Sequence, residues 1–331
     1  MFKYDSTRRR VLALGAAAAA FAAWPLAHAS NYPERPIRFI VPFNPGGGTD
    51  ISARIVAEKL SGRLGQPIII ENRGGAAGLM GTAAGANADP DGYTFVFSLS
   101  TSLLINQFLF EKMPYDPQKD LVMVSQIATA PVVLAVHPSV PVNTGPELIA
   151  YIRQNQGKLS YGSWGVGSYA HLGGAYMSEV TKADMSHVPY KGEAAMLQDM
   201  LGGLVPMAFA SAMGVKPHAD TGRLKIIGTT GRTRMAVLPD TPTLYEQGLQ
   251  DDAYSIVGWV GLAAPAKTPP EIVQRVSQEV AAVLAVDEVR ERFATMGFTA
   301  LGNTPEQFAA NYQQDLPVWQ ALVQVSGARL D

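Results

Sequence analysis

Two stretches of the chain share one design: a short apolar run, a glycine-rich turn holding a hydroxyl residue, and then a helical pattern. The first is Ile37-Arg38-Phe39-Ile40-Val41-Pro42-Phe43-Asn44-Pro45-Gly46-Gly47-Gly48-Thr49-Asp50, and the second is Leu159-Ser160-Tyr161-Gly162-Ser163-Trp164-Gly165-Val166-Gly167-Ser168. Glycine lets backbone come close to a ligand, and the N–H groups of a helix's first turn lack an intrahelical partner, so each turn is a potential anion seat. Two such seats facing one another would hold an organic acid.

The pattern around the turns fixes the fold class. Ile37, Phe39 and Val41 alternate with Arg38 and Ile40 and stop at Pro42, which reads as a strand. Thr49 or Asp50 is expected to cap the following helix, with Ile51, Ile55, Leu60 and Leu64 on one face until Gly65-Gln66-Pro67 ends it. Ile68-Ile69-Ile70 reads as a buried strand, and Tyr93 to Ser98 as another after the turn Asp89-Pro90-Asp91-Gly92. Beyond Asp120, a helix from about 146 to 154, a strand at 159–161, a helix from about 169 to 181 and strands near 186–188, 204–209 and 224–228 form a second alternating unit. Ser255 to Leu262 is a further strand. Thr268-Pro269-Pro270-Glu271 and Thr304-Pro305-Glu306-Gln307 both carry the start signal of a capped helix. Alternation of this kind gives an α/β protein whose sheets are covered by helices on both faces.

The N-terminal segment, 1–29, reads as an export signal. Arg8-Arg9-Arg10 precedes an apolar run, Pro25 breaks it, and Ala27-His28-Ala29 supplies small residues for cleavage. That run is about thirteen residues, short of the roughly 20 a spanning helix needs. Thr7-Arg8-Arg9-Arg10-Val11-Leu12 resembles the twin-arginine pattern, with Val11 and Ala13 as departures, so the general secretory route stays open. The periplasm is the expected compartment. The chain has no cysteine, hence no disulfide and no lipid-attachment site. A net charge of −2 without a basic block argues against nucleic acid.

Other chemistries fit the motifs less well. The first turn lacks the Gly-Lys-Ser/Thr of a P-loop. Gly165-Val166-Gly167-Ser168-Tyr169-Ala170 fits the relaxed dinucleotide fingerprint, but Glu179 comes too early and Asp184 sits in a turn, so the ribose ligand is missing. Ser163 misses the nucleophile elbow because Tyr161 stands where glycine is needed. His171, His187 and His218 are each available in principle to activate it, which keeps an exported serine hydrolase as the alternative reading. No metal-binding spacing is present, and no cofactor is required. His171 is expected as a neutral imidazole packed against the second loop, and Tyr190 as a phenol at a strand end where open α/β sheets place ligands.

A series of motifs in order extends the reading. Tyr32-Pro33-Glu34-Arg35-Pro36-Ile37, Val41-Pro42-Phe43, Pro45 to Asp50, Glu71-Asn72-Arg73-Gly74-Gly75-Ala76-Ala77-Gly78, Asp89-Pro90-Asp91-Gly92-Tyr93-Thr94, Tyr161-Gly162-Ser163 with Gly165, Gly167, His171 and Leu172, Val188-Pro189-Tyr190-Lys191-Gly192, and Pro239-Asp240-Thr241-Pro242-Thr243 with Glu246 and Gly248 run through the mature chain. In these the sequence resembles the Bug family, the extracytoplasmic solute receptors of tripartite tricarboxylate transporters. The resemblance implies a type II periplasmic binding protein of two doubly wound α/β domains, not an enzyme, with the ligand in the cleft between them. Domain 1 is expected over 30–130 plus 260–331, and domain 2 over 131–259. It further implies that Phe43, Gly47, Gly48 and Thr49 grip a carboxylate from one side and Ser163, Gly165, Gly167 and Ser168 from the other. Ser100, Thr101, Ser102 and Tyr190 would complete the pocket, with His171 and Ser211 beside it. The partners so implied are a small carboxylate, a dicarboxylate or aromatic acid, and the membrane permease subunits, for a receptor acting as a monomer. Many members carry an aspartate after the phenylalanine matching Phe209, where this chain has Ala210-Ser211. An amino-acid ligand would lose a partner there, so a non-amino acid is expected.

Overall fold

The computed structural model describes residues 32–330; the export segment lies outside the described residues. In chain order the strands are β1 (Ile37–Val41), β2 (Ile68–Asn72), β3 (Thr94–Leu99), β4 (Leu121–Ala130), β5 (Val133–Val136), β6 (Ser160–Ser163), β7 (Ser186–Pro189), β8 (Met207–Ala210), β9 (Lys225–Thr229), β10 (Gly258–Pro265) and β11 (Thr299–Ala300). The helices are α1 (Gly48–Leu64), α2 (Leu79–Ala86), α3 (Asn106–Leu109), α4 (Gly145–Gln154), α5 (Tyr169–Thr181), α6 (Glu193–Leu201), α7 (Ala212–Ala219), α8 (Asp252–Ser255), α9 (Pro270–Leu284), α10 (Asp287–Thr295) and α11 (Pro305–Ser326).

Two sheets result. The first has the order β11-β4-β10-β3-β1-β2 and the second the order β7-β6-β8-β5-β9. Each contains the same parallel triple, a first strand flanked by the next two: β2-β1-β3 in one and β7-β6-β8 in the other. In such a sheet the connections leaving the central and third strands diverge to opposite faces, and the crevice they leave lies beyond the strands' C-terminal ends. Both glycine turns leave the central strand of a triple, β1 and β6.

Packing explains the strand composition. Phe39 on β1 meets Phe95 and Phe97 on β3 at 5.9 and 6.0 Å between ring centres, while Ile40 on the opposite face is equally buried. A parallel strand covered by helices on both faces has no polar side to show. Ile68-Ile69-Ile70, in contrast, is not a buried strand: β2 is the sheet edge and Ile69 is 55% exposed. Leu204 also lies outside β8 and is exposed, and Ser255 closes the short helix α8 instead of opening a strand.

Both start signals near the end open a helix with proline in its first turn, but only one forms its capping box. Thr304 caps α11 and Gln307 returns the bond, completing the capping box. At α9 the cap is Pro269, and Thr268 Oγ1 is buried with no partner. The chain crosses from the first sheet to the second between β4 and β5 and returns between β9 and β10. These crossings are stitched together, since Thr230 N–H donates to Val132 O and Val132 N–H to Thr230 Oγ1. The long helix α11 bridges the two lobes. Phe308 and Tyr312 pack on Trp259 of β10, whereas Trp319 meets Tyr169 of α5 edge-on at 5.9 Å.

Candidate functional site

The first seat is built by holding its loop from outside. Asp50 does not cap α1; the cap position is Gly47, which has no side chain to offer, and the Asp50 carboxylate reaches back to the Gly46 N–H at 2.9 Å. The same carboxylate takes Arg54 Nε at 3.1 Å and Asn72 Nδ2 at 3.0 Å, and Asn72 also donates to Phe43 O. Burial works to raise the Asp50 pKa, but these donors outweigh it and leave it below the usual carboxylate range. With the loop cinched this way, the amides of Gly48, Thr49 and Asp50 begin α1 with no preceding carbonyl or capping side chain to bond. They are oriented donors at the positive end of a 17-residue helix dipole.

The second turn is satisfied from within. Ser163 Oγ lies 2.7 Å from His187 Nε2 and accepts the Gly165 N–H at 3.3 Å. Gly167 N–H donates to His171 Nδ1 at 3.2 Å. Ser168 donates to Gly165 O at 2.7 Å and caps α5 by accepting His171 N–H. The nominated glycine amides are therefore engaged inside the loop, and the groups left without a partner are the Trp164 and Val166 N–H and the first-turn amides of Tyr169 and Ala170. His171 stacks on His187 with ring centres 3.9 Å apart, and Tyr161 covers the other side. Burial, with the neighbouring His187 adding to it, lowers His171 to a pKa of about 4, so the imidazole is neutral as its helix position required.

The two lobes touch on both sides of this region. A Cβ on Gly167 would stand 2.3 Å from Leu109 Cδ1 of α3. A Cβ on Gly297 would stand 3.0 Å from Ala212 Cβ of the other lobe, while within the first lobe one on Gly48 would stand 3.2 Å from Phe298 Cζ. The third strand of each triple is followed by a serine. Ser100 follows β3 and accepts Trp259 N–H at 3.4 Å, while Ser211 follows β8 and caps α7.

Two expected pocket residues point elsewhere. Ser102 is fully buried, and its hydroxyl is bonded to Thr82 at 2.8 Å and Ser98 at 2.6 Å, deep in the π-helical turn Thr101–Ile105. The Tyr190 hydroxyl donates to Asp199 at 2.6 Å, and burial followed by that carboxylate pushes its pKa up to about 12. Thr101 is half-exposed at the strand end. Phe298, Gly297 and Leu109 escaped the sequence reading because nothing local marks residues that reach the cleft from distant segments. A depression of about 420 Å³ between the start of β4 and α11, lined by Leu121, Met123, Pro305 and Tyr312, lies away from both glycine turns.

Catalysis has no support in this geometry. Ser163 is fully buried, no carboxylate among the described residues orients His187, and both faces of that imidazole are covered by rings. No acid ends β7 to hold a ribose, and no group of metal ligands occurs among the described residues.

Residues 52–328 match the family model described as the tripartite tricarboxylate transporter family receptor. The chain belongs to this receptor family. Protein BugT of Bordetella pertussis is 34% identical over 303 residues, 91% of this chain and 92% of that one. An R. palustris protein solved with adipate superposes with a TM-score of 0.80 at 32% identity, covering 90% of this chain and 99% of its own. MatC from Rhodopseudomonas palustris with bound malate gives 0.76 at 29% identity, covering 88% and 100%. The receptor thus has the fold of the periplasmic solute-binding proteins, and its relatives bind solutes and are not enzymes. Among its described residues no helix is long and apolar enough to cross a membrane.

Proposed function

We propose that the receptor captures a small organic acid, a dicarboxylate or an aromatic carboxylate, between its two lobes in the periplasm and delivers it as a monomer to the membrane subunits of a tripartite tricarboxylate transporter. The lobes are 30–130 plus 260–331 and 131–259, with α11 laid across both. The reading rests on the three amides at the start of α1 that have no internal partner; in the proposed arrangement they face the Gly165–Ser168 turn across the cleft. A carboxylate seated there gains charge-assisted bonds without displacing any internal one. Relatives solved with adipate and malate support the ligand class, and the basic head and apolar run of 1–29 support export.

Thermal shift against mono-, di- and aromatic carboxylates tests the reading. An acid at about a hundred times its dissociation constant adds about 2.7 kcal/mol to stability. A receptor that no acid stabilises, and that retains none through purification by mass spectrometry, would refute it.

A further inference from the structure

A turn outside both glycine loops touches the first seat on one side and the opposite lobe on the other. Helix α10 ends at Thr295 with Met296 as its cap, and Gly297 follows at φ +80°. Gly297 N–H donates to Ala294 O and Phe298 N–H to Phe293 O, the left-handed helix ending that favours glycine. Phe298 packs on the buried Phe293 and reaches the start of α1, where a Cβ on Gly48 would stand 3.2 Å from Phe298 Cζ and 3.8 Å from Met296 Cε.

Gly297, between these two side chains, meets the second lobe. A Cβ there would stand 2.6 Å from Met235 Cε and 3.0 Å from Ala212 Cβ, and both partners are buried. Ala212 opens α7 just past the end of β8, as Gly48 opens α1 after the turn that leaves β1. The contact therefore joins the crevice ends of the two sheets, apart from the stitched crossings at Val132 and Thr230. Two other left-handed helix endings show what is distinct here. Gly65 after α1, at φ +72°, and Gly327 after α11, at φ +61°, would meet no described atom within 4 Å through an added Cβ. At Gly297 the backbone angle and the approach of the other lobe both demand glycine.

We propose that the Met296–Phe298 turn couples lobe closure to the first seat: Gly297 lets Ala212 and Met235 come to rest on the first lobe, and Phe298 carries that contact to the start of α1. The inference rests on the two-lobe capture reading and deepens it, adding positioning residues that hold no ligand atom yet set how tightly an acid is retained. Packed contacts of this kind switch between discrete arrangements instead of deforming smoothly. A contact made in the ligand-holding form raises affinity by as much as it favours that form over the open one.

Gly297→Ala places a methyl group in the contact, and Gly65→Ala, with similar left-handed strain and open surroundings, is its control. Unliganded, the two variants should melt close to one another. Titration calorimetry with succinate, malate, adipate and benzoate then compares them on whichever acid the wild type binds most tightly. Gly297→Ala is expected to weaken that acid about tenfold, read as faster release in stopped-flow, while Gly65→Ala binds as the wild type does. Adding Ala212→Gly to Gly297→Ala removes the Cβ that the new methyl group would meet and should recover part of the affinity. Solution scattering with saturating acid should show less compaction in Gly297→Ala than in the control. Equal affinities in Gly297→Ala and Gly65→Ala, or no recovery in the double variant, would overturn the proposal and leave the receptor reading standing. Failure of every acid to bind the wild type would overturn both.

Discussion

The two glycine turns leave equivalent strands of equivalent sheets, yet they handle their amides in opposite ways. Around Gly46–Gly48 the restraint comes from Asp50 and Asn72 outside the turn, so the first-turn amides of α1 remain available. Around Gly165–Ser168 the restraint comes from Ser163, His171 and Ser168 within it, so two glycine amides are consumed and the turn becomes a stiff wall. Both helices still begin with unpaired first-turn amides, so on the proposed reading closure can hold a ligand seated on the first set without either loop having to break its own bonds.

Substitutions separate these roles. The largest effect is expected at Gly167, where φ is +77° and a Cβ would overlap Leu109. Gly167→Val combines left-handed strain of about 1–2 kcal/mol with overpacking of about 1–3 kcal/mol. Calorimetric unfolding should show that loss, and acid affinity should fall with it; a variant as stable as wild type would mean the turn does not ride on α3. Asp50→Ala comes next. It frees the Gly46 N–H and strands Asn72, a cost of about 2 kcal/mol in denaturant unfolding. Because the Asp50 pKa is lowered in the fold, its contribution is present above about 3.9 and is lost as pH falls through the lower folded value, so the variant and wild type should converge in strong acid.

Gly47→Val addresses recognition at a modest cost in stability. A Cβ there meets only Asn44 O, at 3.8 Å, in an extended backbone, so the fold should tolerate it while the side chain crowds the free amides. An affinity loss of about tenfold is expected, with about 1 kcal/mol of stability lost because valine is a poor residue at a helix cap position. Gly48→Val is the poorer probe, because its Cβ presses on Phe298 and mixes packing with binding.

The smallest effect concerns the stacked imidazoles. His171 and His187 both have lowered pKa values, so the unfolded chain takes up protons first, and stability should be complete above about 6.5 and decline as pH drops toward the folded values. Replacing His171 with Phe keeps a ring on His187 and should flatten that decline. An unchanged slope would show that the stack does not titrate.

Much of this was legible in advance. Helix α5 and strand β1 fall where their periodicity and breakers put them, because Pro42, Ser168 and the αL residue Lys182 act locally. The two turns were visible for the same reason. Which amides stay free was not, since that depends on Asp50 turning back to Gly46, on Asn72 arriving from β2 and on His187 arriving from β7. Tyr190 and Ser102 looked available from their strand-end positions and were bound by Asp199 and Thr82, partners set by tertiary packing.

The most direct test is the structure of the receptor crystallised with an acid that stabilises it. The expected result is a ligand carboxylate within hydrogen-bond distance of the Gly48 and Thr49 amides, with the Gly165–Ser168 bonds intact on the facing wall. A carboxylate bound elsewhere, or a second turn that opens its internal bonds to reach the ligand, would contradict the division of roles between the two loops.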